Sequence, residues 1–250
     1  MNKKILVLIG IALVVIAGML FSMTSYDRPD WSPEKIEVSL RPNLLYPSGA
    51  QIFQDSFDSP TLKWFIINNT GAVCGLSTAT AFNGDGSLKL QTGTNIGSYS
   101  TASRYLSSIT SEKIGADLWV NFPNFADYEF RLWIFTYTGT KRSDFGVKYS
   151  ASTNKWYYYD SATNWIELSD TTFTMKGNTY RYNHIKLIVD AKEGKLLRLY
   201  VADSSIDLSE VPAWTAASAS TAEIVIRLDA LPLAANNRSL YVDEFVLTEE

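Results

Sequence analysis

Trp156, Tyr157, Tyr158, Tyr159 and Trp165 all fall within ten positions of the segment TNKWYYYDSATNWIEL, residues 153–168. Flat rings with polar edges suit two tasks. They lock a β-hairpin through cross-strand ring pairs, and they stack on the apolar C–H faces of sugars. In an extended strand, Trp156, Tyr158 and Asp160 share one face while Tyr157 and Tyr159 share the other. DSATN is a five-residue loop after which Trp165 opens the return strand. One aromatic face must pack inward. Tyr157, Tyr159 and Trp165 are therefore the candidate stacking residues, and on sequence alone the core-hairpin and sugar-platform readings both stand.

Other reactive side chains are few. His184 and Cys74 are the only residues of their kinds, which leaves no second ligand for a transition-metal site and no partner for an intrachain disulfide. Cys74 sits in the apolar run AVCGL with no basic neighbour to lower its pKa, so a buried, inert thiol is expected. A Gly-x-Ser-x-Gly elbow and a Gly-rich phosphate loop are absent. Asn68 in NNT and Asn237 in NRS fit the N-glycosylation acceptor pattern, which matters only if the host glycosylates exported proteins.

The elements that would position these residues follow from pattern. With 22 basic and 26 acidic residues the net charge is -4, which argues against nucleic-acid binding. Residues 5–23 run without a charge for about the thickness of a bilayer core, behind Lys3 and Lys4. The segment 1–23 is therefore expected to be a signal-anchor helix in the cell membrane or a signal peptide that is removed. Either way the C-terminal bulk lies outside the cytoplasm. Residues 24–50, with Pro29, Pro33, Pro42 and Pro47, read as a stalk in which IEVSL could add a short strand.

From residue 51 onward, short alternating runs recur: GSLKLQ, SRYLSSI, IGADLWVNF, YEFRLWIFTY, FGVKYS, WYYYD, HIKLIVD, LLRLYVAD, AEIVIRL and SLYVDEFVL. NGDG, YTGT, SASTN, DSATN, KEG and AANN separate them. No capped stripe of helical period follows residue 50. An all-β, two-sheet antiparallel sandwich over 51–250 is expected.

The motifs QIFQDSFDSPTLKWF, NGDGSLKLQTG, YRYNHIKLIVDAKEGKLLRLYVADSSIDLS and SLYVDEFVLTEE occur in that order. Their arrangement resembles concanavalin A-like and laminin G-like jelly rolls and their carbohydrate-binding-module relatives. The resemblance implies side-by-side chain ends, which would gather Asp55, Asp58, Asp243 and Glu244 into a structural calcium site, Asp55 and Asp243 foremost. His184 stands where such families often place a strand-start histidine, which implies a hydrogen-bonding role. The Glu-x-Asp-x-Glu strand of the hydrolases with this fold is missing from IEVSL, SEKIGADL, YEFRL and VDEFVL, and the strand motifs of alginate-type lyases are missing too. The expected protein is not an enzyme. It is a membrane-anchored module that binds a glycan or another cell-surface polymer, or else an adhesive or structural protein of an envelope, appendage or virion acting by self-association.

Overall fold

The computed structural model describes residues 49–107, 111–123, 127–169, 175 and 181–250. The expected membrane segment, nearly all of the stalk, and IEVSL lie outside them. In chain order the strands are β1 (Ala50–Asp55), β2 (Phe65–Asn68), β3 (Val73–Ser77), β4 (Ser87–Gln91), β5 (Ser100–Ser107), β6 (Lys113–Asn121), β7 (Tyr128–Tyr137) and β8 (Lys141–Ser150). They continue as β9 (Lys155–Tyr159), β10 (Trp165–Glu167), β11 (Tyr182–Asp190), β12 (Lys195–Val201), β13 (Ser204–Asp207), β14 (Trp214–Ala217), β15 (Glu223–Pro232) and β16 (Ser239–Glu249).

These strands form two eight-stranded sheets. Sheet I runs β13-β12-β11-β6-β16-β4-β3, with β1 also on β16; sheet II runs β10-β9-β8-β7-β15-β5-β2, with β14 also on β8. Every described pairing within them is antiparallel. The result is the two-sheet, jelly-roll-like sandwich that the alternating pattern predicts.

Period-two alternation builds the core. Ile114, Ala116, Leu118 and Val120 of β6 face Phe130, Leu132 and Ile134 of β7 and their neighbours across the sandwich, all fully buried. Full burial of one such side chain contributes about 1.5–3 kcal/mol. In β16 the alternation changes phase. Glu244 takes a φ of 48° and the register with β6 shifts between Asp243 and Val246. Leu240 and Val242 before the bulge, and Phe245 and Leu247 after it, all reach the core.

The aromatic hairpin forms as its spacing predicts. Trp165 pairs with Tyr159 and Glu167 with Tyr157 across β9 and β10. The loop between them is tied by Asp160, whose Oδ1 accepts from the backbone N–H of Ala162 and Asn164 at 2.9 and 2.7 Å. Trp156 is buried and Tyr158 packs on the main core, which sends Tyr157, Tyr159 and Trp165 to the outside of sheet II.

Candidate functional site

The outer face of sheet II carries an aromatic cluster of its own. On β7 the odd-numbered residues point outward, and Trp133 and Phe135 join Val225 of β15 in an apolar group separate from the main core. Tyr137, Tyr159 and Trp165 pack around it, half-buried. Trp133 is edge-on to Tyr159 and Trp165 at ring-centroid distances of 5.0 and 5.1 Å and stacked on Phe135 at 5.5 Å; Tyr159 and Trp165 are 5.2 Å apart. Gly146, opposite Trp133 on β8, makes this possible. A Cβ there would lie 2.5 Å from the indole, so only glycine lets the ring lie across the sheet. Of the stacking residues inferred from sequence, Tyr159 and Trp165 join this group, whereas Tyr157 lies outside it beside Lys148 and Glu167; Trp133, Phe135 and Gly146 are the members that sequence reasoning missed. β7 was legible as a strand, but nothing local showed that its odd-numbered face would meet the β9–β10 hairpin.

Ion pairs frame the cluster. Glu129 of β7 accepts from Arg131 Nη2 at 2.7 Å and Lys148 Nζ at 2.8 Å. Arg142 grips Asp144 through Nε and Nη2 at 2.5 and 2.7 Å, and its guanidinium lies over Phe135, 5.0 Å from the ring centroid. Arg227 donates to Asp229 at 2.7 Å, and the same oxygen accepts from Thr101 Oγ1 at 2.6 Å. Lys148 Nζ sits 4.8 Å from the Tyr157 centroid and 5.2 Å from that of Trp165. Lys155 pairs with Glu167 at the edge. Burial pushes the Glu129 carboxyl up, but Lys148 and Arg131 outweigh it and hold the group below the usual carboxylate range. On Asp144 burial wins against Arg142 and the carboxyl is raised.

The four acids at the chain ends lie on sheet I and its adjoining turns, and each is engaged by donors of the protein. Asp55 accepts from Phe57 N at 3.0 Å and Trp64 Nε1 at 3.1 Å. Asp58 Oδ1 accepts from the N–H of Asp85 and Gly86 at 2.7 and 3.0 Å. Asp243 accepts from Phe82 N, Asn83 N and Glu244 N, and Glu244 from Asn83 Nδ2 and Gln54 Nε2. The acids thereby tie the NGDG turn to the first and last strands. Burial pushes Asp243 up to about 7 despite its three backbone donors. Among the described residues no group of three or more His, Cys, Asp and Glu side chains is placed to hold a metal ion.

His184 Nε2 lies 2.7 Å from Asp117 Oδ1, both buried on the outer side of sheet I. Beside them Trp119 stacks on Phe82 at 4.1 Å. Cys74 is buried and its thiol is pushed up to about 12, too high to supply thiolate at neutral pH. Asn68 and Asn237 are exposed. Among the described residues no helix is long and apolar enough to cross a membrane; residues 5–23 are not among them.

No protein-family model and no curated protein matches the sequence. Solved structures do match the fold. An endo-β-1,4-glucuronan lyase from the fungus Trichoderma reesei aligns with a TM-score of 0.55 at 11% identity, over 80% of this chain and 96% of its own. The cellulose induced protein Cip1 aligns with a TM-score of 0.52 at 12% identity, over 80% and 98%. A Bacillus subtilis protein with a galectin-like fold aligns at 0.52 and 10%, over 82% and 98%. At these identities the likeness establishes a jelly-roll, galectin-like sandwich and nothing about chemistry.

Proposed function

We propose that the outer face of sheet II binds a glycan and does so without catalysis, in a module held outside the cytoplasm by the apolar segment 5–23. The observation that carries this reading is the group Trp133, Tyr159 and Trp165, assembled on the solvent side of a sheet over Gly146 and bordered by Arg, Lys, Asp and Glu side chains. A strand pair needs one aromatic face for the core, and Trp156 and Tyr158 already supply it here. The second aromatic face offers apolar area to pyranose C–H groups, and the charged border offers hydrogen bonds to hydroxyls. The border carboxylates Glu129, Asp144 and Asp229 are each held by a cation, and the two cations on Glu129 keep it ionised and so unsuited to donating a proton.

A panel of plant, fungal and bacterial polysaccharides, screened by affinity electrophoresis with the full-length chain in non-ionic detergent, tests the reading. At least one polymer is expected to retard migration. Trp165→Ala and Tyr157→Ala should each weaken that retardation about tenfold or more, in a chain that still unfolds cooperatively. New reducing ends or unsaturated sugars released from the bound polymer would replace the non-catalytic reading with an enzymatic one.

The second reading, self-association, is favoured by a different part of the same face. β2 is an edge strand with no charge and no proline, and its Phe65 and Ile67 are 58% and 42% exposed beside Tyr105 at 53%. If that edge joins two copies, Phe65→Lys should convert a dimer to a monomer in light scattering. An unchanged monomeric mass before and after the substitution removes this reading.

A further inference from the structure

We infer that the glycan carries negative charge, and that Arg131 and Lys148 together hold an anionic substituent of the sugar ring stacked at Trp165 and Tyr157. This rests on the proposed glycan reading of the face and extends it to a substrate class.

The inference comes from how charge is matched on the sheet. Among the described residues of this face, Asp144 is paired with Arg142, Asp229 with Arg227, and Glu167 with Lys155, one cation to one acid. Glu129 breaks the pattern because Arg131 takes one of its oxygens and Lys148 the other. One positive charge is left over at the start of β7. Glu223 sits opposite Tyr137 at the far end of that strand, about 20 Å from Arg131 at roughly 3.3 Å per residue, beyond the screening length of physiological salt.

The surplus lies where a ligand would be. Lys148 Nζ is 4.8 Å from the Tyr157 ring centroid and 5.2 Å from that of Trp165, and the Arg131 guanidinium is 5.4 Å from Trp165. A sugar against these rings brings its substituents to both cations. Arg131 uses Nε and Nη2 on Glu129, and Lys148 uses one of its three N–H groups. The two residues are neighbours on adjacent strands, directly paired across β7 and β8, and both lie against Trp165. The chain as a whole carries a charge of -4 and repels polyanions, so capture of one must be local to such a spot. A uronate carboxylate and a sulfate ester share the required chemistry.

The test is titration calorimetry on the full-length chain in non-ionic detergent with six probes: a glucuronate and a galacturonate tetrasaccharide, their two carboxyl-reduced counterparts, a sulfated tetrasaccharide, and a neutral xylo-oligosaccharide. At least one acidic or sulfated probe is expected to bind about tenfold or more tightly than its neutral counterpart. Lys148→Met should abolish that difference, while Lys148→Arg should preserve it. A uronate-only response identifies a planar carboxylate, and a response to sulfate as well identifies a general anion site; both support the inference. Equal affinity for acidic and neutral probes overturns it and leaves the glycan reading intact, whereas no binding by any probe overturns both. If Lys148→Met does not fold, the acidic-to-neutral ratio of the unsubstituted chain decides.

Discussion

An Asp243→Ala chain is expected to lose about 3 kcal/mol of stability, near 1 kcal/mol for each backbone donor stranded at a partly buried site. Asp243 has no solvent exposure, and its carboxylate accepts from Phe82 N at 2.7 Å, Asn83 N at 3.1 Å and Glu244 N at 2.8 Å. The first two donors fix the turn that presses Phe82 onto Trp119, and the third fixes the β16 bulge at Glu244. No other side chain can take over, because Asp58 and Glu244 are already engaged by Asp85, Gly86, Asn83 and Gln54. For a domain of this size the loss corresponds to a drop of about 6–12 °C in melting temperature. Asp243→Asn keeps one acceptor oxygen and should lose about half as much. Both melts are to be run with chelator so that no cation contributes. A drop under about 2 °C for Asp243→Ala would show that water satisfies these donors and that the turn does not depend on the carboxylate.

The second large effect is expected at Gly146. A Cβ there would approach two carbons of the Trp133 indole to 2.5 and 2.6 Å. The ring cannot swing aside freely, since Phe135, Tyr159 and Trp165 surround it. Gly146→Ala should therefore cost about 2 kcal/mol through overpacking. It should also displace Trp133, change the tryptophan emission, and remove glycan retention. Gly75→Ala is the matched control, because a Cβ on β3 at that position meets nothing within 4 Å. That control should leave both stability and emission nearly unchanged. If Gly146→Ala behaves like Gly75→Ala, the indole does not depend on the missing side chain and the aromatic face is less fixed than described.

What the sequence made legible was decided by local periodicity. YEFRLWIFTY, AEIVIRL and SLYVDEFVL announce strands through alternation, and DSATN announces its hairpin through turn chemistry; all four appear where expected. The motif order carried the jelly roll as well, and the proximity of the chain ends with it. FIIN of β2, SSID of β13 and WTAA of β14 are four residues each, too short for a period to emerge, and their pairing depends on neighbours far along the chain. The acids Asp55, Asp58, Asp243 and Glu244 were recognisable as a group. Their partners were not, because they are mostly backbone N–H groups that any residue could provide. The site was half legible for a related reason. Tyr157, Tyr159 and Trp165 stood out by density, whereas Trp133 and Gly146 acquire their meaning only from the β7–β8 register that puts them opposite each other.

On the proposed reading, a glycan lies against the outer aromatic face of sheet II. The indole N–H resonances of the tryptophans test it directly when the chain is titrated with the tightest-binding oligosaccharide. The Trp165 and Trp133 signals are expected to shift with the binding isotherm while those of Trp119 on sheet I and Trp64 in the core stay in place. Shifts confined to Trp119, or no shift with any oligosaccharide tried, would contradict it.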